Sequence, residues 1–104
     1  MNRKEIEEQI IQNYRQEEQM MILVFAQWCI NNDLDPAAIY LRAHPDQAEN
    51  PALQQAIELT VSKDEAGEIA DEMILNVLSL FGNEDLAFVV TEEIAKRKAT
   101  ERKS

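Results

Sequence analysis

The sequence is poor in residues that break helices and in those that build covalent frameworks. Two glycines and three prolines among 104 residues leave long stretches uninterrupted, and none of these alternates apolar and polar residues as a half-buried strand would. A single cysteine excludes an internal disulfide and fits a reducing compartment. The only extended apolar run, Met20 to Ile30 (MMILVFAQWCI), is too short to cross a bilayer as a helix. The opening MNRKEIEEQ mixes both charges without an apolar segment, so it reads neither as a signal peptide nor as a transit peptide. These absences lead us to expect a cytoplasmic protein with no membrane contact.

Basic residues are scarce as well. The net charge of −10 conceals an asymmetry: residues 1–95 hold 19 acids and 5 bases, whereas 96–104 hold 5 bases and 1 acid. Binding to phosphate backbones needs a basic stripe. Only the short tail offers one, so direct nucleic-acid binding is not expected. Acidic surface of this kind keeps a small protein soluble and attracts partners with basic surfaces.

What remains is helix-forming sequence rich in Ala, Leu, Ile, Glu and Gln. At this length the chain is expected to be a single all-α domain, 1–104, with one core. The apolar run is its organising segment: Gln27 is its only clearly polar residue, so a helix there is expected to be covered on every side. Residues 3–31 read as one long helix and the central rod of the bundle. It opens with Ile6, Ile10 and Tyr14, each four apart on one face. The stripe then breaks at Arg15-Gln16-Glu17-Glu18-Gln19, so residues 1–15 read as an arm projecting beyond the core. Met21, Val24, Phe25 and Trp28 form the expected core face after the break.

Later boundaries follow from capping chemistry. Asn31-Asn32-Asp33 ends the first helix. Asp35 and Pro36 then start a short one over 36–44, with Leu34 and Ile39 spaced as a hydrophobic staple and Pro45 enforcing the stop. Asn50-Pro51 starts another, with Leu53, Ala56, Ile57 and Val61 as its apolar side. Ser62 to Glu65 has capping-box spacing, but Gly67 leaves open whether 62–81 is one helix or two segments, the second starting at Asp71. Met73, Ile74, Val77, Leu78 and Phe81 form its face. Gly82 suits a left-handed C-terminus, Asn83 a cap, and Leu86, Val89, Val90 and Ile94 the core face of a last helix. That helix ends at Lys96-Arg97-Lys98, where cations oppose the helix dipole, and residues 99–104 read as a disordered basic tail. The expected architecture is therefore a compact bundle of about five helices: the long rod, two short Pro-started helices and two longer C-terminal ones.

Chemistry is sparse. There is no phosphate-cradling glycine loop, paired-cysteine metal spacing or His-Glu zinc pattern, and no cofactor is expected. Cys29 and His44 could formally act as nucleophile and base. Inside the most apolar helix, however, a thiol reads as inert packing, and His44 reads as a residue compensating a helix C-terminus. Asp64, Glu65, Glu68, Asp71 and Glu72 form the densest acidic stretch, with Glu65, Glu68 and Glu72 expected along one helical face. The stretch reads first as a solvated acidic face at a helix start, where negative charge is favoured, and no bound metal is expected; carboxylates so spaced could otherwise hold magnesium, with Glu65, Glu68, Asp71 and Glu72 as the candidate ligands. The all-α nucleoside-triphosphate pyrophosphatases use acidic pairs from two adjacent helices, and Glu65-x-x-Glu68 and Glu68-x-x-Asp71 invite that comparison. No second helix completes it: Glu17-Glu18 has Met21 where an acid should stand, and Glu5-x-x-Glu8 lies near the chain start. The family is not carried over.

The preferred reading is a small protein-interaction module, a regulator or adaptor without catalytic activity. The apolar excess on the long helix predicts a homodimer with Ile6, Ile10, Tyr14 and Met21 at its interface. Two alternatives stand beside it. One is a magnesium-dependent all-α hydrolase of nucleotide-like substrates using the 64–72 acids; the other is an acidic mimic of nucleic acid that fills a basic protein groove.

Overall fold

Capping residues set most of the element boundaries in the computed structural model, which describes residues 3–47 and 50–103. Six helices are present among these residues: α1 (Arg3–Asn31), α2 (Pro36–Ala43), α3 (Pro51–Leu59), α4 (Lys63–Ala66), α5 (Asp71–Leu80) and α6 (Glu84–Lys103). The fold is all-α, with no strand among the described residues. Asp35 accepts a 3.0 Å hydrogen bond from the Ala37 amide, and Asn50 accepts from the amides of Ala52 and Leu53 at 3.0 and 3.3 Å. Pro36 and Pro51 occupy the first helical turns, where a missing N–H costs nothing.

Two helix ends share one geometry. After α1, Asp33 adopts φ +58°, and the Leu34 amide donates to the Cys29 carbonyl at 2.8 Å. After α5, Gly82 adopts φ +67°, and the Asn83 amide donates to the Leu78 carbonyl at 2.9 Å. Each is a Schellman closure, which satisfies carbonyls that the ended helix leaves open.

Gly67 accounts for the extra helix. Its φ of +74° ends α4 after one turn, so 62–81 is two segments and the second starts at Asp71. Neither Ser62 nor Ala70 provides a side-chain cap. At the other end, α6 continues through Lys103, across the segment read as a tail; Lys96 to Lys103 contains no Gly or Pro, and nothing in its composition stops the helix.

The α1 rod is flanked by α2, α3, α4 and α5, while α6 lies across α2 and α5. Ile22, Phe25, Ala26, Trp28 and Cys29 of α1 are all buried, and meet Ile39, Leu53, Ile74, Leu78, Leu86 and Val90 in one core. The cover is incomplete. Met20 is 66% exposed and Leu23 only half-buried, because no helix closes over that side. Met73 and Val61, expected on apolar faces, are also exposed. Val61 lies beyond the end of α3, and Met73 sits on the outer side of α5. The radius of gyration of 15.6 Å exceeds the roughly 13 Å of a compact chain this long. A 29-residue α1 of about 43 Å stretches a molecule whose shorter extents are 28 and 25 Å.

Candidate functional site

Among the described residues several concavities border α1, and two of them stand out by their lining. The first opens at its C-terminal end and has a volume of about 730 Å³; Asn31, Asn32, Lys63, Glu68, Asp71 and Arg97 are among its lining residues. Amide side chains of α1 hold the segment that runs along the cleft. Gln27, the one polar residue of the apolar run, accepts from the Val61 amide at 3.0 Å and donates to the Val61 carbonyl at 2.9 Å, as a neighbouring backbone would. One turn on, Asn31 donates to the Gly67 carbonyl at 3.1 Å. These contacts pin the link between α3 and α5 along α1.

Asp71 is the centre of that cleft. Its carboxylate accepts from Trp28 Nε1 at 3.1 Å and from both terminal nitrogens of Arg97, while Arg97 Nη1 also donates to Asn32 Oδ1 at 2.6 Å. The Arg97 hydrogen bonds are the main cause that holds the Asp71 carboxyl below its ordinary value; partial burial opposes them, and the Trp28 bond assists. One ion pair thus joins α5, α6 and the end of α1. Arg42 of α2 likewise pairs with Glu93 of α6 and, at 3.4 Å, with Glu92, and it holds the Glu93 carboxyl low.

The candidate metal ligands are not drawn together. Glu65 lies on α4, Glu68 on the link after Gly67, and Asp71 and Glu72 on the first turn of α5. The expected single face of Glu65, Glu68 and Glu72 does not form, because Gly67 breaks the helix between them. Glu65, Glu68 and Glu72 are exposed, and Asp71 is committed to Arg97. Among the described residues, no group of three or more His, Cys, Asp or Glu side chains is placed to hold a metal ion. Cys29 is buried in the core, where burial, with Asp35 and Glu93 nearby, pushes its thiol pKa upward. His44 caps α2 with its ring against Tyr40 at 5.0 Å and Nε2 3.0 Å from Asn83 Oδ1.

The second concavity, between α1 and α3, has a volume of about 370 Å³ and is lined by Gln16, Gln19, Met20, Leu23, Ala52, Gln55, Ala56 and Leu59. It contains no charged residue. Met20 and Leu59 stand 66% and 68% exposed at its rim. The lining of this groove is not legible in the sequence, because the α1 run from Met20 is apolar all round and the stripe 16, 19, 20, 23 does not stand out from it. Of the expected dimer residues, Met21 is 5% exposed and belongs to the chain's own core, which removes it from the interface set. Ile6 is 43% exposed, and the side chains of Ile10 and Tyr14 lie outside the described residues.

Comparison with known proteins places the chain. A family model described as YxiS matches residues 2–95. The chain belongs to the YxiS family. A relative from Bacillus subtilis (strain 168), described as the uncharacterized protein YxiS, is 47% identical over 93 residues, covering 88% of this chain and 97% of the relative. No solved structure matches. The family match stops just before Lys96, so the basic end of α6, including Arg97, lies beyond it. Among the described residues, no helix is long and apolar enough to cross a membrane.

Proposed function

We propose that this YxiS-family protein is a non-catalytic, cytoplasmic protein-interaction module that works as a homodimer and presents the α1–α3 groove to another protein. The observation that carries this reading is the groove itself. In a chain with 29% charged residues, an uncharged concavity rimmed by exposed Met20 and Leu59 is the surface best suited to receive apolar side chains. Methionine adapts its shape to different partners. The acidic surroundings favour a partner with a basic rim around its apolar anchor, because complementary charge speeds encounter. The hydrolase alternative has less support, since Asp71 is tied to Arg97 and Trp28 and the 64–72 acids are spread over α4, the link after it and α5.

The experiment is co-purification from the cells that make the protein, comparing wild type with Met20→Glu. A partner held by wild type and lost from the variant, with an unchanged thermal midpoint, is the expected outcome. Identical sets of companions from both proteins would remove the groove from the proposal. Self-association is expected in sedimentation as a species of about 24 kDa, twice the chain mass, in keeping with two-fold pairing.

A further inference from the structure

We infer that two copies of the chain pair antiparallel through the N-terminal half of α1, about a two-fold axis at position 10. This rests on the self-association proposed above, and it fixes the orientation, register and residues of that contact. Helix α1 is continuous from Arg3 to Asn31, so positions along it follow from residue number. At about 100° per residue, positions 3, 6, 10, 14 and 17 fall within an arc of about 80°. They hold Arg3, Ile6, Ile10, Tyr14 and Glu17. The spacing reads the same from either end, with a base closing one end of an apolar stripe and an acid closing the other.

An antiparallel pair centred on position 10 sets Ile10 against Ile10, Ile6 against Tyr14 of the second copy, and Arg3 against Glu17 of the second copy. Opposite charges then meet at both ends of the stripe. No two like charges face each other across positions 2–18 in this register. Parallel pairing in register would instead set Arg3 against Arg3 and Glu17 against Glu17, and like charges so opposed select against an orientation. Charge complementarity therefore selects both the occupant and its direction. The described members agree with an open face: Ile6 is 43% exposed and Glu17 is exposed, while Arg3, Ile10 and Tyr14 enter by register position alone. The glutamate that interrupts the apolar stripe after Tyr14 thereby acquires a role as the counter-charge for Arg3. This surface is distinct from the α1–α3 groove, which remains free in the pair.

From position 3 to position 17 the contact runs about 21 Å, which is at the small end of specific interfaces, so the dimer is expected to dissociate at roughly micromolar to high micromolar concentration. The test is sedimentation velocity of the full chain at low salt, from about 5 to 500 μM, a range chosen to bracket that weak association. Wild type is expected to dimerise. Arg3→Glu and Glu17→Arg singly are each expected to weaken the dimer by about tenfold, since each creates two like-charge pairs, and the double variant Arg3→Glu/Glu17→Arg is expected to recover wild-type affinity. Far-ultraviolet circular dichroism checks that all variants stay folded. If wild type dimerises and the single variants leave it unchanged, the antiparallel register is overturned and the homodimer stands. A double variant as weak as the singles also overturns the register. A wild type that remains monomeric throughout overturns both the register and the homodimer, and leaves the groove proposal to its own experiment.

Discussion

Adjacent methionines at the start of the apolar run have opposite fates. Met20 is 66% exposed on the groove rim, and Met21 is 5% exposed in the core. Met20→Glu is expected to change stability by less than about 0.5 kcal/mol, as surface substitutions do. Met21→Glu buries an unpaired carboxylate and is expected to cost more than about 3 kcal/mol; urea unfolding of the two variants gives the contrast directly, and equal costs would contradict the packing of α1. Asp71 carries a pH signature. Its carboxyl is held below its ordinary value chiefly by Arg97, so the folded chain favours the ionised form more than the unfolded chain does. The stabilisation is fully present above the unfolded value near pH 4 and disappears as pH falls through the lower folded value. Thermal midpoints between about pH 6 and pH 2.5 should therefore fall less steeply in Asp71→Asn than in wild type. Parallel curves would mean that the ion pair contributes nothing. The sequence carried Asp71 as a metal candidate, because a carboxylate reads the same whether its partner is a cation in solution or an arginine 26 residues away. Only the packing of α6 on α5 brings Arg97 to it.

At the scale of elements, local chemistry was legible and distant closure was not. Asp35-Pro36 and Asn50-Pro51 announce α2 and α3 because caps act within three residues. Gly82 announces the end of α5 because few other residues tolerate its φ of +67°. Sequence alone does not decide the split at Gly67, since a helical glycine costs only about 1 kcal/mol and packing can override it. The lining of the groove was illegible because it exists only where α1 and α3 leave a side open between them. Gly82 gives a prediction free of steric complication: a Cβ there would meet nothing within 4 Å, so the cost of Gly82→Ala is purely the left-handed backbone, about 1–2 kcal/mol. Gly82→Asn should lose less, because asparagine adopts that conformation more readily. Chemical denaturation ranks the three proteins, and an alanine variant as stable as wild type would mean that α5 and α6 can be joined by another turn.

For the molecule as a whole, the charge balance sets how stability answers salt. The chain carries −10 overall, with 19 acids and 5 bases before residue 96, so folding gathers a large negative excess into a body 62 Å long and 28 by 25 Å across. Against that repulsion stand the ion pairs of the described residues, among which Lys63 with Asp33 and Lys96 with Glu93 are largely exposed on the cationic side and so contribute little. Arg97 with Asp71 and Arg42 with Glu93 are better sheltered on the acidic side, and salt weakens them less. Added salt therefore removes more repulsion than attraction. At about 0.01 M ionic strength the screening length of about 30 Å lets charges across the whole width of the body repel one another, and at about 0.15 M it falls to about 8 Å. The thermal midpoint is expected to rise by several degrees over that interval and then to flatten, since further salt screens only near neighbours. A scan in sodium chloride at neutral pH and low protein concentration, where self-association does not contribute, makes the measurement. A midpoint that fell with salt would mean that attraction within the ion pairs outweighs the repulsion of the acidic body.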